Sequence, residues 1–295
     1  MKKTILSSIV TCCSIFVASN SHAALRVLDF DLDANGNAIQ NGQIIDDEYS
    51  SWGVQISGCN INGAVSSGTD QINGICADDG GDKAQRQTTF DTSLENTADP
   101  DLEFFNNGTQ YESREGTDSV KKFYDPLSER KEFYEDLYSD ERRETYKKPG
   151  NVLIIHENNT CNGNECSNPD DEGTRPAGFF VFEFTNNPVD ILSLDFFDVE
   201  VTESQFGQPA TKLYFFLTNN TVREADVPGI GHGHYQRENY SNMFGVTKLV
   251  VNMPGSGAIN NLVFRDSTPQ SAEVNAPAAL AFLLIGFGFI YLRRR

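Results

Sequence analysis

The chain has 295 residues and is strongly acidic, with 42 Asp and Glu residues against 23 Lys and Arg residues, a formal net charge of −19 at pH 7 and a pI near 4.5. This charge argues against a nucleic-acid partner, because binding to a phosphate backbone depends on clustered Lys and Arg side chains. It favours instead a solvated acidic surface or the capture of divalent cations.

Residues 1–23 have the layout of a secretory signal peptide. Two lysines precede an apolar stretch over residues 5–18, and small residues surround a predicted cleavage point after Ala23. A positive start, an apolar middle and a small-residue end are typical of export signals. The sequence therefore predicts export. Lipoprotein attachment at Cys12 is the weaker alternative, because Thr11 rather than Gly or Ala precedes that cysteine.

Four cysteines follow the signal peptide, and an even number of cysteines in an oxidising compartment predicts disulfides. We expect the local pairs Cys59 with Cys76 and Cys161 with Cys166, each stapling a loop rich in Asn, Gly and Asp. A zinc site is the alternative. Neither spacing is Cys-x-x-Cys, however, and no histidine stands beside these cysteines in the sequence.

Residues 24–110 are expected to contain the first strands of an exported domain, over Leu25–Phe30 and Gly53–Ser57. From residue 58 to residue 101 the composition is Gly, Asn, Asp, Ser and Thr with few apolar residues. Such a composition predicts long surface loops that contribute nothing to a core.

Asp31, Asp33 and Asn35 offer oxygen ligands at alternate positions before Gly36, an arrangement typical of calcium loops. The twelfth position counted from Asp31 is a glycine rather than a bidentate glutamate, so the loop is not an EF-hand. The acidic run at residues 46–48 can supply a further carboxylate by folding back. We predict a structural calcium site here, with an Asx-type turn as the alternative.

Residues 111–148 combine 11 acidic with 9 basic residues, and many opposite charges stand three or four positions apart. This spacing supports helix through ion pairs along one face. The segment is therefore interpreted as a charged helical or partly disordered insertion. Its function is either to bind a partner or simply to present a solvated mixed-charge surface.

Residues 149–266 carry the clearest strand patterns, which include the alternation of Phe180, Phe182 and Phe184 on one face. In Ile191–Val201 the alternation changes parity after Phe196, which predicts a β-bulge or a strand that leaves one sheet for another. The other predicted strands are Asn151–His156, Leu213–Leu217, Val246–Met253 and Ile259–Phe264. About eight strands separated by turns predict an all-β fold, an antiparallel β-sandwich.

Residues 267–275 are a linker, and residues 276–295 are predicted to form a transmembrane tail. An apolar run from Ala276 to Leu292 ends at Arg293, Arg294 and Arg295. Its length is at the short limit for a bilayer core of about 30 Å. The arginines favour a cytoplasmic C terminus, which leaves the preceding domain outside.

The sequence Val274-Asn275-Ala276-Pro277, followed by a glycine-containing apolar helix and the closing arginines, resembles the PEP-CTERM sorting signal of Gram-negative bacteria. It departs from the Pro-Glu-Pro core of that signal and reads Asn-Ala-Pro. The resemblance implies an anchored inner-membrane intermediate that is processed by an exosortase, a membrane enzyme associated with exopolysaccharide production. It places the mature protein at the cell surface or in the extracellular matrix. An ordinary single-span anchor is the alternative.

The order of segments is also similar to ectodomains that carry PEP-CTERM tails. That resemblance implies a jelly-roll sandwich of the galactose-binding type and the recognition of an exopolysaccharide or surface glycan. The residues that carry it are Trp52-Gly53-Val54, Gly150–Ile155, Pro169–Glu172 and Gly255–Ile259.

Exposed aromatic rings suit sugar faces, so Trp52 and Tyr235 are candidate glycan contacts for a non-catalytic binding protein. The alternatives are a polysaccharide hydrolase and an adhesive surface protein. A hydrolase needs two carboxylates, for which Asp195, Asp198 and Glu200 are candidates. The sequence contains neither Gly-x-Ser-x-Gly nor His-Glu-x-x-His. Two weaker cation candidates are the acidic cluster in Pro169–Glu172 and the pair His232 and His234.

Overall fold

The computed structural model describes residues 24–61, 68–76, 86–94, 97–99, 102–103, 149–157, 160–171, 177–199, 211–229 and 235–267. These residues form a mostly β, antiparallel and nearly closed sheet with few helices. The strands are β1 Leu25–Leu28, β2 Val54–Asn60, β3 Gln87–Asp91, β4 Asn151–Ile155, β5 Cys161–Asn162, β6 Glu165–Cys166, β7 Gly178–Phe184, β8 Val189–Phe197, β9 Lys212–Leu217, β10 Val222–Asp226, β11 Tyr235–Met253 and β12 Ala258–Asp266. The helices are a 3-10 turn, Ser50–Trp52, and α1, Gly68–Asn73.

The 19-residue strand β11 belongs to both halves of the sheet. Its first half pairs with β8, and its second half runs between β7 and β9. The first arm of the sheet therefore has the order β10-β9-β11-β7-β2. The second arm contains β11, β8, β12, β4 and β3, with β1 also paired to β12. Gly245, at a φ of +69°, lies at the irregular register where β11 changes partners.

The two arms face each other across one large hydrophobic core. Phe180, Phe182 and Phe184 of β7 all point into it, as the alternation in the sequence predicts. The rings of Phe184 and Phe264 lie 5.4 Å apart between centroids, although their strands β7 and β12 do not pair. Burial of such rings removes a large apolar area from water and dominates the energetics of the core.

The gap between the two arms is closed by the segment 43–46. Ile45 donates its amide to the carbonyl of Gln87 on β3, over 3.0 Å, and Ile56 on β2 donates to the carbonyl of Asp46, also over 3.0 Å. These bonds satisfy backbone groups that an open sheet edge leaves to solvent or to another chain. The sheet is therefore almost continuous around the core.

The predicted parity change in β8 corresponds to a real irregularity, but it begins earlier than the pattern indicates. The register of β8 against β12 shifts between Ser193 and Ile191. Phe196 then faces the main core while Phe197 enters a second cluster on the outer face. Strand β8 is consequently buried on both faces.

The prediction that residues 58–101 form surface loops without a core is wrong for two segments. Strand β3 is almost entirely buried, and Phe90 belongs to the outer cluster with Val152 and Phe197. Helix α1 packs Ile72 on the outer face of the first arm. Its last carbonyl, on Asn73, accepts a hydrogen bond of 2.8 Å from Lys248 Nζ.

The predicted signal peptide, the predicted charged insertion at residues 111–148 and the predicted C-terminal tail lie outside the described residues. Within the described ranges, no helix has both the length and the apolar character needed to cross a membrane. The predictions of export, sorting and anchoring at the two ends of the chain therefore stay predictions.

Candidate functional site

A surface cavity of about 360 Å³ lies between β1, the loop that follows it and the 3-10 turn. This volume falls in the range of small-ligand sites, roughly 300–1,000 Å³. The cavity brings the predicted glycan residue Trp52 together with two of the predicted calcium residues, Asp33 and Asn35. Its full lining is Leu25, Arg26, Val27, Asp29, Leu32, Asp33, Ala34, Asn35, Gly36 and Trp52.

Trp52 is half-buried at the end of the 3-10 turn. Its ring lies 5.6 Å from that of Tyr49, centroid to centroid, at an angle of 44°. Gly53 follows in the left-handed conformation, at a φ of +75°, and donates its amide to Ser50 to end the turn. Only glycine adopts this conformation without steric cost. The indole is therefore held at the cavity wall by a short, rigid element.

The loop opposite Trp52 is fastened by the buried side chain of Tyr49. Its hydroxyl accepts a hydrogen bond from the amide of Phe30, over 3.1 Å, and donates one to the carbonyl of Leu32, over 2.9 Å. Burial, with the nearby carboxylate of Asp29 second, raises the pKa of this hydroxyl well above its usual value. Tyr49 is thus a neutral donor that fixes the shape of the loop.

Arg26 forms the polar edge of the cavity. Its guanidinium donates to the carbonyl of Trp52, over 3.2 Å, and to both carboxylate oxygens of Asp266, over 3.1 and 3.2 Å. Such a two-pronged pair fixes the orientation of the guanidinium plane. Arg26 therefore connects β1, the 3-10 turn and the end of β12.

The three aspartates of the predicted calcium loop each bind the backbone. Asp29 accepts from the amides of Asp31 and Leu32. Asp31 accepts from the amide of Asn151, over 2.8 Å, at the start of β4. These carboxylates are therefore close together in the sequence, but in the fold Asp31 binds the backbone of a different strand, β4.

Asp33 makes the Asx-type turn that was the alternative to calcium. Its Oδ1 accepts from the amides of Asn35 and Asn37, each over 2.8 Å, and its Oδ2 accepts from the Asn37 side-chain amide, over 2.7 Å. The hydrogen bond from the Asn37 side chain is the main cause that lowers the pKa of the Asp33 carboxyl. Calcium binding by Asp31, Asp33 and Asn35 stays a prediction.

The acidic run at residues 46–48 does fold back, because the carbonyl of Glu48 accepts from the amide of Ala34 over 3.0 Å. The side chains of Asp46, Asp47 and Glu48 bring potential ligand oxygens within 4.8 Å of one another. In the described part of the chain, the other group of this kind is His156 with Cys161 and Cys166; neither group includes Asp31 or Asp33.

Tyr235 lies at a different place, on the outer face of the second arm. Its ring packs 5.3 Å from that of Phe197, and its hydroxyl oxygen is buried. Tyr235 therefore does not line the cavity beside Trp52. Tyr235 extends the second hydrophobic cluster.

The carboxylates suggested for hydrolysis hold the fold together. Asp195 forms a buried ion pair with Arg237, and Asp198 accepts a 2.6 Å hydrogen bond from Ser256. Asp171, from the predicted acidic turn, is buried and accepts from the amide of Gly257 over 2.5 Å. Glu172, Glu200, His232 and His234 lie outside the described residues.

Both expected disulfides, Cys59–Cys76 and Cys161–Cys166, are present. Disulfides of this kind are consistent with an exported protein. No histidine stands beside these cysteines in the sequence. The fold nevertheless brings a ring nitrogen of His156 within 4.8 Å of the sulfurs of Cys161 and Cys166. Sequence reasoning missed this contact, since it depends on how β4 ends beside the β5–β6 hairpin.

No family model and no curated protein matches the chain. Two solved structures of discoidin II from Dictyostelium discoideum, the native recombinant protein and the wild-type protein, are similar to part of it, each at 11% identity and a TM-score of 0.23. The first match covers 35% of this chain and 41% of the other, and the second covers 32% and 40%. The chain thus spans less than half the length of these proteins, and its fold class is defined by its own strand pairing.

Proposed function

We propose that this protein is an exported, non-catalytic β-sandwich of the jelly-roll, galactose-binding type that binds a glycan in the cavity beside Trp52. The observation that carries this proposal is the meeting of a half-buried indole with polar side chains in one surface cavity of about 360 Å³. The two facing arms of antiparallel strands support the sandwich assignment.

The chemistry of the cavity suits a sugar. An indole offers a flat apolar face for the C–H groups of a pyranose ring and an N–H donor at its edge. The Asp33 carboxylate is held by hydrogen bonds from the amides of Asn35 and Asn37 and from the Asn37 side chain, and it presents acceptor oxygens at the cavity. The amide group of Asn35 adds both a donor and an acceptor.

The wider setting belongs to the same proposal. The signal peptide that ends at Ala23 and the tail with Val274–Pro277 and Arg293–Arg295 support export, transient anchoring and processing by an exosortase-type enzyme. The natural ligand is then an exopolysaccharide or another surface glycan. The two disulfides support an oxidising destination.

Retention of the purified full-length chain on immobilised exopolysaccharide from a producing Gram-negative strain tests the binding proposal. We expect Trp52→Ala to abolish retention and Trp52→Phe to preserve part of it, because phenylalanine keeps a flat ring. Tyr235→Phe is the matched control, since Tyr235 lies on the other arm and retention is expected to be unchanged.

Retention that is unaffected by Trp52→Ala contradicts the site, and an absence of retention on every polysaccharide tried contradicts glycan binding. The same incubation distinguishes the alternatives. Release of reducing sugar indicates a hydrolase, while neither retention nor release favours an adhesive role in which the insertion at residues 111–148 contacts another protein.

A further inference from the structure

The Cys161–Cys166 disulfide closes a small hairpin in which the two sulfurs have different surroundings. Cys161 is half-buried and precedes an exposed turn at residues 162–165. Cys166 is 2% exposed, and its amide donates to the carbonyl of Gly42 over 2.7 Å. Cys161 is therefore the more exposed of the two cysteines, while Cys166 is held against the body of the domain.

Polar groups of β3 and the residue before it contact both sulfurs. The guanidinium of Arg86 lies 3.1 Å from Cys161 Sγ, and the hydroxyl of Thr88 lies 3.4 Å from Cys166 Sγ. A disulfide sulfur is a weak acceptor, whereas a thiolate is a strong one. Both contacts therefore become stronger when the bond opens, and a nearby cation is the feature that lowers the pKa of reactive cysteines.

We propose that Cys161–Cys166 is a thiol–disulfide exchange site whose co-reactant is the thiolate of a cysteine-containing peptide. The incoming thiolate attacks Cys161 Sγ, a new S–S bond joins it to Cys161, and the old bond breaks with its electron pair on Cys166 Sγ. A second thiolate of the peptide then attacks the peptide sulfur that is bonded to Cys161 and releases Cys161 as a thiolate. The protein disulfide gains two electrons, and the two peptide thiols lose two and become a disulfide.

The contacts assign a separate role to each polar group. Thr88 donates its proton as a hydrogen bond to the Cys166 thiolate that leaves first, and Arg86 stabilises the Cys161 thiolate that leaves second. In the reverse direction, Cys161 is the accessible nucleophile and Cys166 closes the ring. Each protein thiolate therefore has a hydrogen-bond donor, as the leaving group in the forward direction and as the nucleophile in the reverse direction.

Among the described residues, the ionisable groups on the segments beside the hairpin include Arg86, His156, Glu157, Glu165 and Asp170. Burial and then Arg86 lower the pKa of His156. The imidazole Nδ1 accepts from the Asp170 amide, so Nε2 carries the proton and donates to Thr160 Oγ1 over 2.9 Å. His156 is therefore neutral at pH 7, and Arg86 is the cation in direct contact with Cys161.

The second disulfide is an internal control. Cys59 is buried and Cys76 is half-buried, so this pair has the same difference in exposure. Among the described residues, no side chain donates a hydrogen bond to either of its sulfurs. The comparison of the two disulfides therefore tests whether exposure alone sets the exchange, and the variants of Arg86 and Thr88 test the contacts.

Incubation of the oxidised full-length chain in graded mixtures of reduced and oxidised glutathione, followed by acid quenching, alkylation and peptide mass analysis, tests the proposal. We expect Cys161–Cys166 to open while Cys59–Cys76 remains closed, and in the Cys166→Ser variant we expect the glutathione adduct on Cys161. Opening of both disulfides together, or of Cys59–Cys76 first, overturns the proposal.

Variants of the contacting residues separate the exchange chemistry from a structural role. Arg86→Gln is expected to slow the release of Cys161 from its mixed disulfide with glutathione by about threefold at pH 7, the effect of one pKa unit on a leaving thiolate, while Arg86→Lys keeps most of the rate. Thr88→Val tests the other sulfur independently. If Arg86→Gln and Thr88→Val both retain the Cys59–Cys76 disulfide and the normal opening rate, the assigned roles are wrong.

Discussion

Asp195 and Arg237 form a two-pronged ion pair with both side chains excluded from solvent, with Nε 2.5 Å from one carboxylate oxygen and a terminal nitrogen 2.6 Å from the other. The side-chain amide of Asn261 donates to the same carboxylate over 2.9 Å. These three residues lie on β8, β11 and β12, the neighbouring strands in the second arm. The pair therefore fixes the register of three strands at once.

We expect Asp195→Asn to lower the free energy of unfolding by about 3–5 kcal/mol, because it removes the carboxylate charge that binds the buried guanidinium of Arg237. Urea unfolding followed by tryptophan fluorescence measures the change. Lys212→Gln is the matched control on the surface, where the pairs with Glu224 and Asp226 are worth at most about 1 kcal/mol. Equal losses in the two variants would contradict the assignment of the buried pair.

The buried imidazole of His156 makes stability depend on pH. Its pKa is lower in the folded protein than its ordinary value of 6.5, first because of burial and then because of Arg86. Below about pH 6.5 the unfolded chain therefore binds more protons than the folded chain, and the free energy of unfolding falls as the pH falls toward the folded pKa. Above about pH 6.5 this contribution is constant.

Comparison of the wild-type protein with His156→Gln at pH 7.5 and pH 5.5 isolates this contribution, since glutamine retains an N–H donor for Thr160 while it cannot be protonated. We expect the stability advantage of the wild-type protein to be smaller at pH 5.5 than at pH 7.5. A difference that does not change with pH rules out the histidine as its source.

Asp33→Asn distinguishes a turn from a calcium site. Asparagine keeps the Oδ1 acceptor for the amides of Asn35 and Asn37, but it removes a charge that a calcium ion needs. The hydrogen bonds of Asp33 favour the turn, so we expect the same melting temperature for wild-type protein with calcium and with EDTA. A calcium-dependent rise in melting temperature that Asp33→Asn removes would establish the metal site instead.

Gly150→Ala tests the contact between β4 and the loop that follows β1 and lines the cavity. Gly150 has a φ of +65°, and a Cβ there would overlap both carboxylate oxygens of Asp31, of which Oδ1 accepts a hydrogen bond from the amide of Asn151. Gly163→Ala is the control, because its φ is +64° but the space around it is open. Both variants incur about 1–2 kcal/mol of left-handed strain.

The loss of the Asp31 hydrogen bond is expected to destabilise Gly150→Ala by roughly 1–3 kcal/mol beyond Gly163→Ala. Thermal or urea unfolding of the two variants provides the comparison. Equal stabilities would show that Asp31 moves aside at no cost.

The strands with regular apolar alternation were predictable, and β7 is the clearest case because Phe180, Phe182 and Phe184 all face the core. Strand β3 was not, since Gln87, Thr88 and Thr89 are polar residues that are fully buried. The Thr89 hydroxyl, for example, donates to the carbonyl of Gln40 over 2.5 Å. Side chains satisfied by distant backbone leave no hydrophobic period in the sequence.

The first half of β11 was missed for a related reason. The side chains of Arg237 and Tyr240 are buried there among polar neighbours, and their burial depends on the packing of β11 against β8 rather than on local pattern. The sequence indicated Trp52, Asp33 and Asn35 as candidate site residues, but it did not indicate that these three residues line the same cavity. Contacts between residues far apart in sequence follow from the fold alone, as His156 beside the second disulfide also shows.

The position of β12 has a mechanical consequence. Over residues 263–265 it is paired with β1 on one side and with β8 on the other, so the end of this strand is hydrogen-bonded along both of its edges. A pulling force applied after residue 267 acts along the axis of β12, across these hydrogen bonds, and loads many of them together, whereas a hairpin at an edge opens one bond at a time. Forced unfolding is governed by the unfolding rate, so a domain pulled through this strand is suited to bear tension.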